Sequence, residues 1–283
     1  MTPSLQQAKV TFIGGGNMAA AIIGGLLAKD IPKQNIFVSE PWEVNREKMA
    51  AQGVRTTTSN LEASKDADIV ILAVKPQVCK TVCEELGAGW KSAGAAKLPL
   101  VISITAGNKV ESIAEWFKQS GGSAPHIVRV MPNTPALVGE GASGIYASQD
   151  VTEDEKALTT ALMGSVSKAT EWVDKEELLD VVTGLSGSGP AYFFAFVEHL
   201  ITGATKLGLS EEQATRLAKQ TCFGAGKMLV ESSDEPAQLR KNVTSPNGTT
   251  HAALVSFEKA GLKEIVEGAV KAATDRADEL GKQ

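Results

Sequence analysis

A glycine-rich turn near the start of the chain most constrains what this sequence can fold into. The segment Gly14–Ala19 has the pattern GxGxxA and lies between an apolar run, Val10–Ile13, and a helical pattern, Met18–Lys29. In such a pattern the first glycine permits a tight turn, the second lets the phosphates of a ligand approach the backbone, and the small third residue lets helix pack on strand. The context predicts a dinucleotide-binding turn, with an ordinary glycine-rich turn as the alternative. The residues expected to line the phosphates are Gly14, Gly16, Asn17 and Met18.

Strand and helix patterns alternate over the first part of the chain. The predicted strands are Val10–Ile13, Asn35–Ser39, Ile69–Val74, Leu100–Ile104, His126–Val130, Ser143–Ala147 and Lys168–Val173. The run Ile69–Val74 is apolar throughout, as expected of a parallel strand buried on both faces. Helical patterns lie between the strands, among them Val44–Gln52 and Glu153–Met163, the latter preceded by a capping box of Thr152 and Glu155. This alternation predicts an α/β fold with a doubly wound, mostly parallel sheet of the Rossmann type.

Strand signals end at Asp174. The helices predicted beyond it are Glu176–Val182, Ala191–Lys206, Ser210–Glu231, Glu235–Val243, Thr250–Ala260 and Leu262–Glu279. With 283 residues, the chain is too long for one ordinary core. We expect a dinucleotide-binding domain over residues 1–173 and an all-α domain over residues 174–283. The apolar face of residues 214–229 is wide, which indicates either a buried central helix or, as we favour, a helix shared with a second copy of the chain.

The residue at the end of the second strand bears on the choice of cofactor. Glu40 lies there, and a carboxylate suits the 2′-hydroxyl of the NAD ribose and repels a 2′-phosphate. Ser39, Arg46 and Lys48 are close in sequence and could hold a phosphate, so the pattern favours NADH and leaves NADPH open. Ligands of such sheets bind beyond the carboxyl ends of the strands, where Lys75 also lies unless it is an ordinary surface lysine. The cofactor-contacting residues expected here are Ser39, Glu40, Ala73, Val74, Lys75 and Pro76.

Two segments of small and hydroxyl-bearing residues precede helices in the second domain. They are Thr183–Ala191, with Pro190 at the first helical turn, and Thr244–Thr250. Hydroxyls and unpaired N–H groups at a helix start suit a carboxylate ligand. Each segment could equally be a capped turn between two helices.

Charge and composition bear on the possible partners. The net charge is −5, 43% of the residues are hydrophobic and 22% are charged, without a polybasic cluster, so we expect no nucleic-acid partner. Residues Met1–Val10 lack the apolar core of a signal peptide, and the longest apolar runs are too short to span a membrane. We therefore expect a cytoplasmic protein with no membrane partner. The three cysteines and three histidines are dispersed, which predicts neither a disulfide framework nor a metal site.

Together these segments resemble pyrroline-5-carboxylate reductase over nearly the whole chain. The resemblance includes the glycine turn, Ala73–Pro76, Arg129–Pro135 and Thr183–Ala191, and it is most specific over Pro236–Glu258. That stretch carries at the family's spacing Leu239, Val243, Thr244, Ser245, Gly248, Thr250, Ala253, Leu254, Phe257 and Glu258. Asn247 stands where many members have glycine. Because asparagine also tolerates a left-handed backbone, this departure puts little in doubt.

The resemblance implies a Rossmann domain followed by a helical dimerisation domain, assembled as a homodimer and often as a larger ring of dimers. It implies reduction of the cyclic imine L-1-pyrroline-5-carboxylate to L-proline with NADH or NADPH. By the same resemblance, Thr250 hydrogen-bonds the ring nitrogen and is the expected catalytic residue. The substrate carboxylate would be held by Ser245, Gly248 and Thr249, and further cofactor contacts would come from Asn60 and Asn242.

Two other functions are consistent with parts of the pattern. A β-hydroxyacid dehydrogenase shares the two-domain plan and the glycines Gly184, Gly187 and Gly189, but it places a catalytic lysine where this chain has Phe193. Reduction of a ketone needs a proton donor in the site, which phenylalanine cannot supply. The second alternative is a dinucleotide-sensing protein without catalysis, against which the intact Ser245 and Thr250 argue.

Overall fold

The computed structural model describes residues 3–119 and 121–282. Within these residues, eight strands form one sheet in the order β3-β2-β1-β4-β5-β6-β7-β8, and all neighbours are parallel except β6 and β7. The strands are β1 (Val10–Ile13), β2 (Ile36–Ser39), β3 (Arg55–Thr57), β4 (Ile69–Leu72), β5 (Leu100–Ser103), β6 (Ile127–Met131), β7 (Gly141–Ala147) and β8 (Ser167–Trp172). The expected α/β class with a mostly parallel sheet is confirmed.

Helices cover both faces of this sheet. They are α1 (Asn17–Ala28), α2 (Glu43–Ala51), α3 (Asn60–Ser64), α4 (Pro76–Ser92), α5 (Val110–Gln119), α6 (Glu153–Met163) and α7 (Leu178–Val182). Successive side chains of β4 belong to two separate apolar clusters, because neighbours along a strand point to opposite faces. Ile71 packs in the cluster that includes Leu26 of α1, and Leu72 in the cluster that includes Cys83 of α4 and Phe117 of α5. The apolar strand is therefore buried on both sides, as its sequence predicts.

The predicted elements are all present, with ends displaced by one or two residues. The capping box of Thr152 and Glu155 is formed, and a second one joins Ser210 and Gln213 at the start of a later helix. The sequence analysis missed β3, the short strand Arg55–Thr57 at the edge of the sheet. An edge strand has a neighbour on one side only, and this one is polar and half-exposed, so it leaves no apolar run to detect.

The chain divides into two compact units. One contains the residues up to Gly187 together with those from Ala273 onward, and the other runs from Ser188 to Ala272. The division thus falls later than the expected boundary at residues 173–174, because α7 packs on β7 and the following π-helical turn, Thr183–Gly187, stays with the sheet. The assignment of functional domains to residues 1–173 and 174–283 remains a prediction.

The second unit is helical and has almost no core of its own. Its helices are α8 (Gly189–Lys206), α9 (Glu211–Glu231), α10 (Pro236–Asn242), α11 (Thr249–Lys259) and the first part of α12 (Leu262–Gly281). Across residues 188–272, all of them described, only Gly189 and Ala214 are buried. The large apolar side chains exposed there include Phe193, Phe194, Leu217, Phe223, Met228, Leu229 and Val230. Helices normally bury such faces against another layer, so these surfaces need a cover from outside the unit.

Candidate functional site

The glycine turn after β1 has the geometry that its pattern predicts. Gly14 has a φ of 101°, and a Cβ there would lie 2.6 Å from the carbonyl oxygen of Ala73. Its N–H donates to the carbonyl oxygen of Ser39 at 2.8 Å. The turn is thereby held between the ends of β2 and β4, and only glycine fits.

The start of α1 leaves room and donors for an anion. Nothing lies within 4 Å of a Cβ built on Gly16, which is the N-cap of the helix and has no capping side chain. The backbone N–H groups of the first helical turn have no acceptor within the helix itself. Ala19 is buried and packs against the sheet, as the small third residue of the pattern should. An unhindered, uncapped helix start fits the pyrophosphate of a dinucleotide.

The carboxylate of Glu40 makes structural hydrogen bonds that the sequence does not predict. The residue is buried, and its Oε2 accepts a hydrogen bond from the N–H of Gly15 at 2.7 Å. Its Oε1 accepts from the N–H of Trp42 at 2.9 Å. The carboxylate therefore ties the end of β2 to the glycine turn. Each oxygen keeps a second lone pair, so contact with a ribose hydroxyl stays a prediction.

Ser39 and Asn60 come together beside this carboxylate. The hydroxyl of Ser39 donates to Oδ1 of Asn60 at 2.7 Å, and Nδ2 of Asn60 donates to Glu85 of α4, also at 2.7 Å. The sequence analysis missed Glu85, because an exposed glutamate in the middle of a helix carries no signal of its own. The chain Ser39–Asn60–Glu85 joins β2, α3 and α4.

The loop after β4 completes this edge. Ile13 of β1 is in register with Ser39 of β2 and with Leu72 of β4, so the residues that follow the three strands meet at one edge of the sheet. Lys75 is the exposed N-cap of α4, and Pro76 is its first residue. The structure therefore brings together the predicted cofactor residues Gly14, Gly16, Asn17, Met18, Ser39, Glu40, Asn60, Ala73, Val74, Lys75 and Pro76. Their contact with a cofactor remains a prediction.

A second cluster lies at the carboxyl end of β6. Asn133 is buried, its Nδ2 donates to the carbonyl oxygen of Ser186 at 3.1 Å, and its Oδ1 accepts from the N–H of Ala142 at 2.9 Å. A Cβ on Gly187 would lie 2.7 Å from Cε of Met131. These contacts hold the π-helical turn Thr183–Gly187 against the loop after β6, and π-helical turns are frequent at functional sites.

A partly buried ion pair involves the same strand, two residues before Met131. Arg129 of β6 pairs with Glu176 at 2.6 Å, and the same oxygen of Glu176 accepts from the N–H of Val110 at 2.7 Å. Beside them, burial raises the pKa of the Asp180 carboxyl, although the Arg129 charge works in the opposite direction. The pair anchors the segment that precedes α7 to the sheet.

The substrate segment predicted at Thr244–Thr250 lies in the second unit. Asn247 has a φ of 56°, the left-handed conformation that asparagine tolerates. Gly248 is the N-cap of α11 and has no capping side chain, so the first turn of that helix, beginning at Thr249, offers unpaired N–H groups. Ser245 and Thr249 are exposed and Thr250 is half-buried.

The last predicted cofactor residue is bonded within its own unit. Asn242 accepts from Gln238 at 2.6 Å and donates to Asp234 at 3.2 Å. Its cofactor contact stays a prediction, as do the roles of Ser245, Gly248, Thr249 and Thr250. Over the described part of the chain, no three metal-binding side chains cluster, and no helix is long and apolar enough to cross a membrane.

The sheet is mostly parallel and carries a glycine turn suited to a dinucleotide, and it is followed by helices that have almost no buried core. This architecture is that of an NAD(P)H-dependent oxidoreductase with a dimerisation domain. Two family models agree, one for NADP oxidoreductase coenzyme F420-dependent over residues 9–107 and one for pyrroline-5-carboxylate reductase dimerisation over residues 176–280. Pyrroline-5-carboxylate reductase from Pseudomonas aeruginosa is 44% identical, with 97% of each chain covered. The chain belongs to the pyrroline-5-carboxylate reductase family.

Solved structures of this family have the same fold. A pyrroline-5-carboxylate reductase from Coxiella burnetii superposes with a TM-score of 0.89 at 39% identity, covering 98% of this chain and 99% of that one. The Plasmodium falciparum pyrroline carboxylate reductase with NADP bound gives a TM-score of 0.82 at 32% identity, covering 98% of this chain and 100% of that one.

The position of Glu40 predicts a change in cofactor preference for Glu40→Ser. The ratio of kcat/KM with NADPH to kcat/KM with NADH should rise, because the carboxylate that would repel a 2′-phosphate is removed. Both values should also fall by a common factor, since the N–H groups of Gly15 and Trp42 lose their acceptor. Initial rates with each cofactor measure the ratio.

Two variants separate charge from hydrogen bonding. Glu40→Gln keeps an acceptor oxygen but no charge, and Glu43→Gln removes an exposed carboxylate from the start of α2. The ratio should rise in the first and stay constant in the second. An unchanged ratio in Glu40→Ser would show that Glu40 only holds the turn.

Proposed function

We propose that this protein reduces L-1-pyrroline-5-carboxylate to L-proline with NADH or NADPH, the last step of proline biosynthesis. The observation that carries the proposal is the uncapped start of α11, where Ser245, Gly248, Thr249 and Thr250 stand in a segment matched by the family's dimerisation model. The relatives are named pyrroline-5-carboxylate reductase, and one solved structure of the family has NADP bound.

The cofactor would lie along the carboxyl edge of β1, β2 and β4. When bound there, the reduced dinucleotide supplies a hydride. The start of α1 would hold its pyrophosphate, and Glu40, Ser39 and Asn60 would face the ribose at the β2 side. The fit rests on the open space at Gly16 and on the close contact of Gly14 with Ala73.

The substrate carboxylate would bind at the start of α11. Ser245, Gly248 and Thr249 offer hydroxyl and backbone N–H donors, and the helix start favours a negative charge. The hydroxyl of Thr250 would hydrogen-bond the ring nitrogen and orient the C=N bond. This role makes Thr250 the catalytic residue of the proposal.

The chemistry demands little more than orientation. An imine is activated by protonation of its nitrogen before hydride attack, and water can supply that proton, so no dedicated strong acid is needed. Positioning alone can lower a barrier by about 7–11 kcal/mol in favourable cases. A threonine hydroxyl that orients the C=N bond and a site that binds the carboxylate are therefore sufficient for the reaction.

The match to a dimerisation domain supports a homodimer as the basic assembly. We infer that the exposed apolar faces of residues 188–272 pack against those of a second copy, and that dimers can associate further into a ring. We also place the enzyme in the cytoplasm, which agrees with its three unpaired cysteines.

The decisive experiment is an initial-rate assay with pyrroline-5-carboxylate and either NADH or NADPH. Folded protein should oxidise at least one of the two cofactors. Ketone precursors of β-hydroxyacids serve as the comparison, and they should be poor substrates because Phe193 cannot donate a proton. Absence of turnover with both cofactors would favour a sensing protein and contradict the proposal.

Thr250→Ala should lower kcat/KM for the imine on the order of 10- to 100-fold. Loss of a hydrogen bond costs about 0.5–1.5 kcal/mol with a neutral nitrogen and about 1.5–3 kcal/mol with a charged one, and roughly 1.4 kcal/mol is tenfold. Cofactor affinity should stay nearly constant, because the glycine turn is unchanged. Steady-state kinetics and fluorescence titration measure the two quantities.

Thr250→Ser is the matched control for this residue. It keeps the hydroxyl and should retain most of the activity. If Thr250→Ala instead lowers the melting temperature and leaves kcat/KM unchanged, Thr250 is a helix-start residue without a catalytic role.

The exposed face of α9 predicts self-association. Sedimentation at micromolar concentration should show a dimer or a larger species. Leu217→Lys, at a position that is 59% exposed, should shift the population toward monomer, because it places a charge in the proposed interface. Leu137→Lys is the control, at a similarly exposed position of the first unit. A fully active wild-type monomer would contradict the dimer.

A further inference from the structure

Trp42 is an exposed indole beside the cofactor edge. It lies between β2 and α2, and 68% of the residue is accessible to solvent. The other tryptophans are more covered: Trp90 is buried, and Trp116 and Trp172 are half-buried. A large aromatic surface left in water next to a ligand-binding edge points to a ligand or partner that covers it.

The backbone that carries this indole is held in place. The N–H of Trp42 donates to Oε1 of Glu40 at 2.9 Å, and the other oxygen of that carboxylate binds the glycine turn. Arg46 of α2 donates to the carbonyl oxygens of Glu40 and Pro41, each at 3.2 Å. The main chain at Trp42 is thus linked through one carboxylate to the turn that would hold the pyrophosphate.

The ring faces the loop on the other side of the glycine turn. The ammonium of Lys75 lies 5.8 Å from the centroid of the Trp42 ring, within the range of a cation–π contact. Lys75 follows β4, whereas Trp42 follows β2, and these strands flank β1 on its two sides. The indole and the lysine therefore lie on opposite sides of β1, at the same edge of the sheet as the glycine turn.

We propose that Trp42 is the stacking platform for the adenine ring of the dinucleotide. In a sheet of this strand order the dinucleotide crosses between β1 and β4, and its adenosine half lies on the β2 side. Glu40 at the end of β2 stands where a ribose-binding carboxylate is expected. The nicotinamide half then extends toward β4 and β6. A base stacks readily on an exposed aromatic ring, since every base has a π-face. The proposal rests on the dinucleotide-dependent function proposed above.

Stacking on adenine predicts a specific pattern of binding losses. Trp42→Ala should weaken NADH and NADPH by the same factor, on the order of 10- to 100-fold, because both cofactors carry adenine. ADP, which carries the adenine ring and no 2′-phosphate, should bind more weakly to a similar degree. Reduced nicotinamide mononucleotide has no adenine, so its kcat/KM should not change. At saturating NADPH, kcat should also be preserved, since the loss is in uniform binding.

Control variants separate stacking from a general effect on the loop. Trp42→Phe keeps an aromatic face and should recover most of the affinity. Val44→Ala removes a similarly exposed apolar side chain at the start of α2, and it should bind all ligands like the wild type. Isothermal titration calorimetry gives the dissociation constants, and thermal unfolding of each variant checks that the fold is intact.

Indole emission provides a readout independent of turnover. ADP does not absorb in the emission range of tryptophan, so quenching on its addition that is lost in Trp42→Phe reports binding at this indole. The wild type should be quenched, whereas Trp42→Phe should not, although three other tryptophans remain.

The outcomes are distinct. Unchanged nucleotide affinity in Trp42→Ala, or an equal loss with reduced nicotinamide mononucleotide, would overturn the proposal. Absence of imine reduction together with Trp42-dependent binding of ADP would contradict the proposed reaction and support the role of Trp42 in stacking.

Discussion

The contact between Gly14 and the loop after β4 is the constraint on which the cofactor edge depends. A side chain at Gly14 would collide with the carbonyl oxygen of Ala73, so the turn can lie this close to the neighbouring strand only because position 14 has no Cβ. The turn then lies close enough to the end of β2 for two hydrogen bonds. The N–H of Gly14 donates to the carbonyl oxygen of Ser39, and the N–H of Gly15 donates to the carboxylate of Glu40. Displacing the turn would separate the uncapped start of α1 from the residues that follow β2 and β4.

Glu40 has a structural role at the end of β2, and we propose a second role for it in cofactor recognition. Its two oxygens bind the backbone of Gly15 and Trp42, which joins the phosphate turn to the loop that carries the indole. In the proposed complex, Glu40 would act on the 2′ end of the cofactor through its charge and on the adenine end through the backbone of Trp42 that it holds. The proposed cofactor preference would therefore depend on the whole loop after β2 and not on Glu40 alone.

The two units differ in how they are stabilised. The first has apolar clusters on both faces of its sheet, whereas the helices from Ser188 to Ala272 leave phenylalanine and leucine side chains in water. An exposed apolar surface of this kind favours association, and in a dimerisation domain a second copy of the chain buries it. The helix start at Gly248 belongs to this second unit, so the proposed substrate segment lies on a part of the chain that buries almost no side chains of its own.

Periodicity and local turn chemistry in the sequence alone determined every strand except β3, the helices of the second unit and the glycine turn. These features depend on neighbours within a few residues, and β4 was evident because burial on both faces requires an uninterrupted apolar run. Only the tertiary structure decided that Glu40 holds the turn, that Asn60 links Ser39 to Glu85, and that Thr183–Gly187 stays with the sheet. It also revealed β3 and the exposed face of Trp42. These outcomes depend on residues distant in sequence that meet across strands and loops, and no local pattern specifies which of them will come into contact.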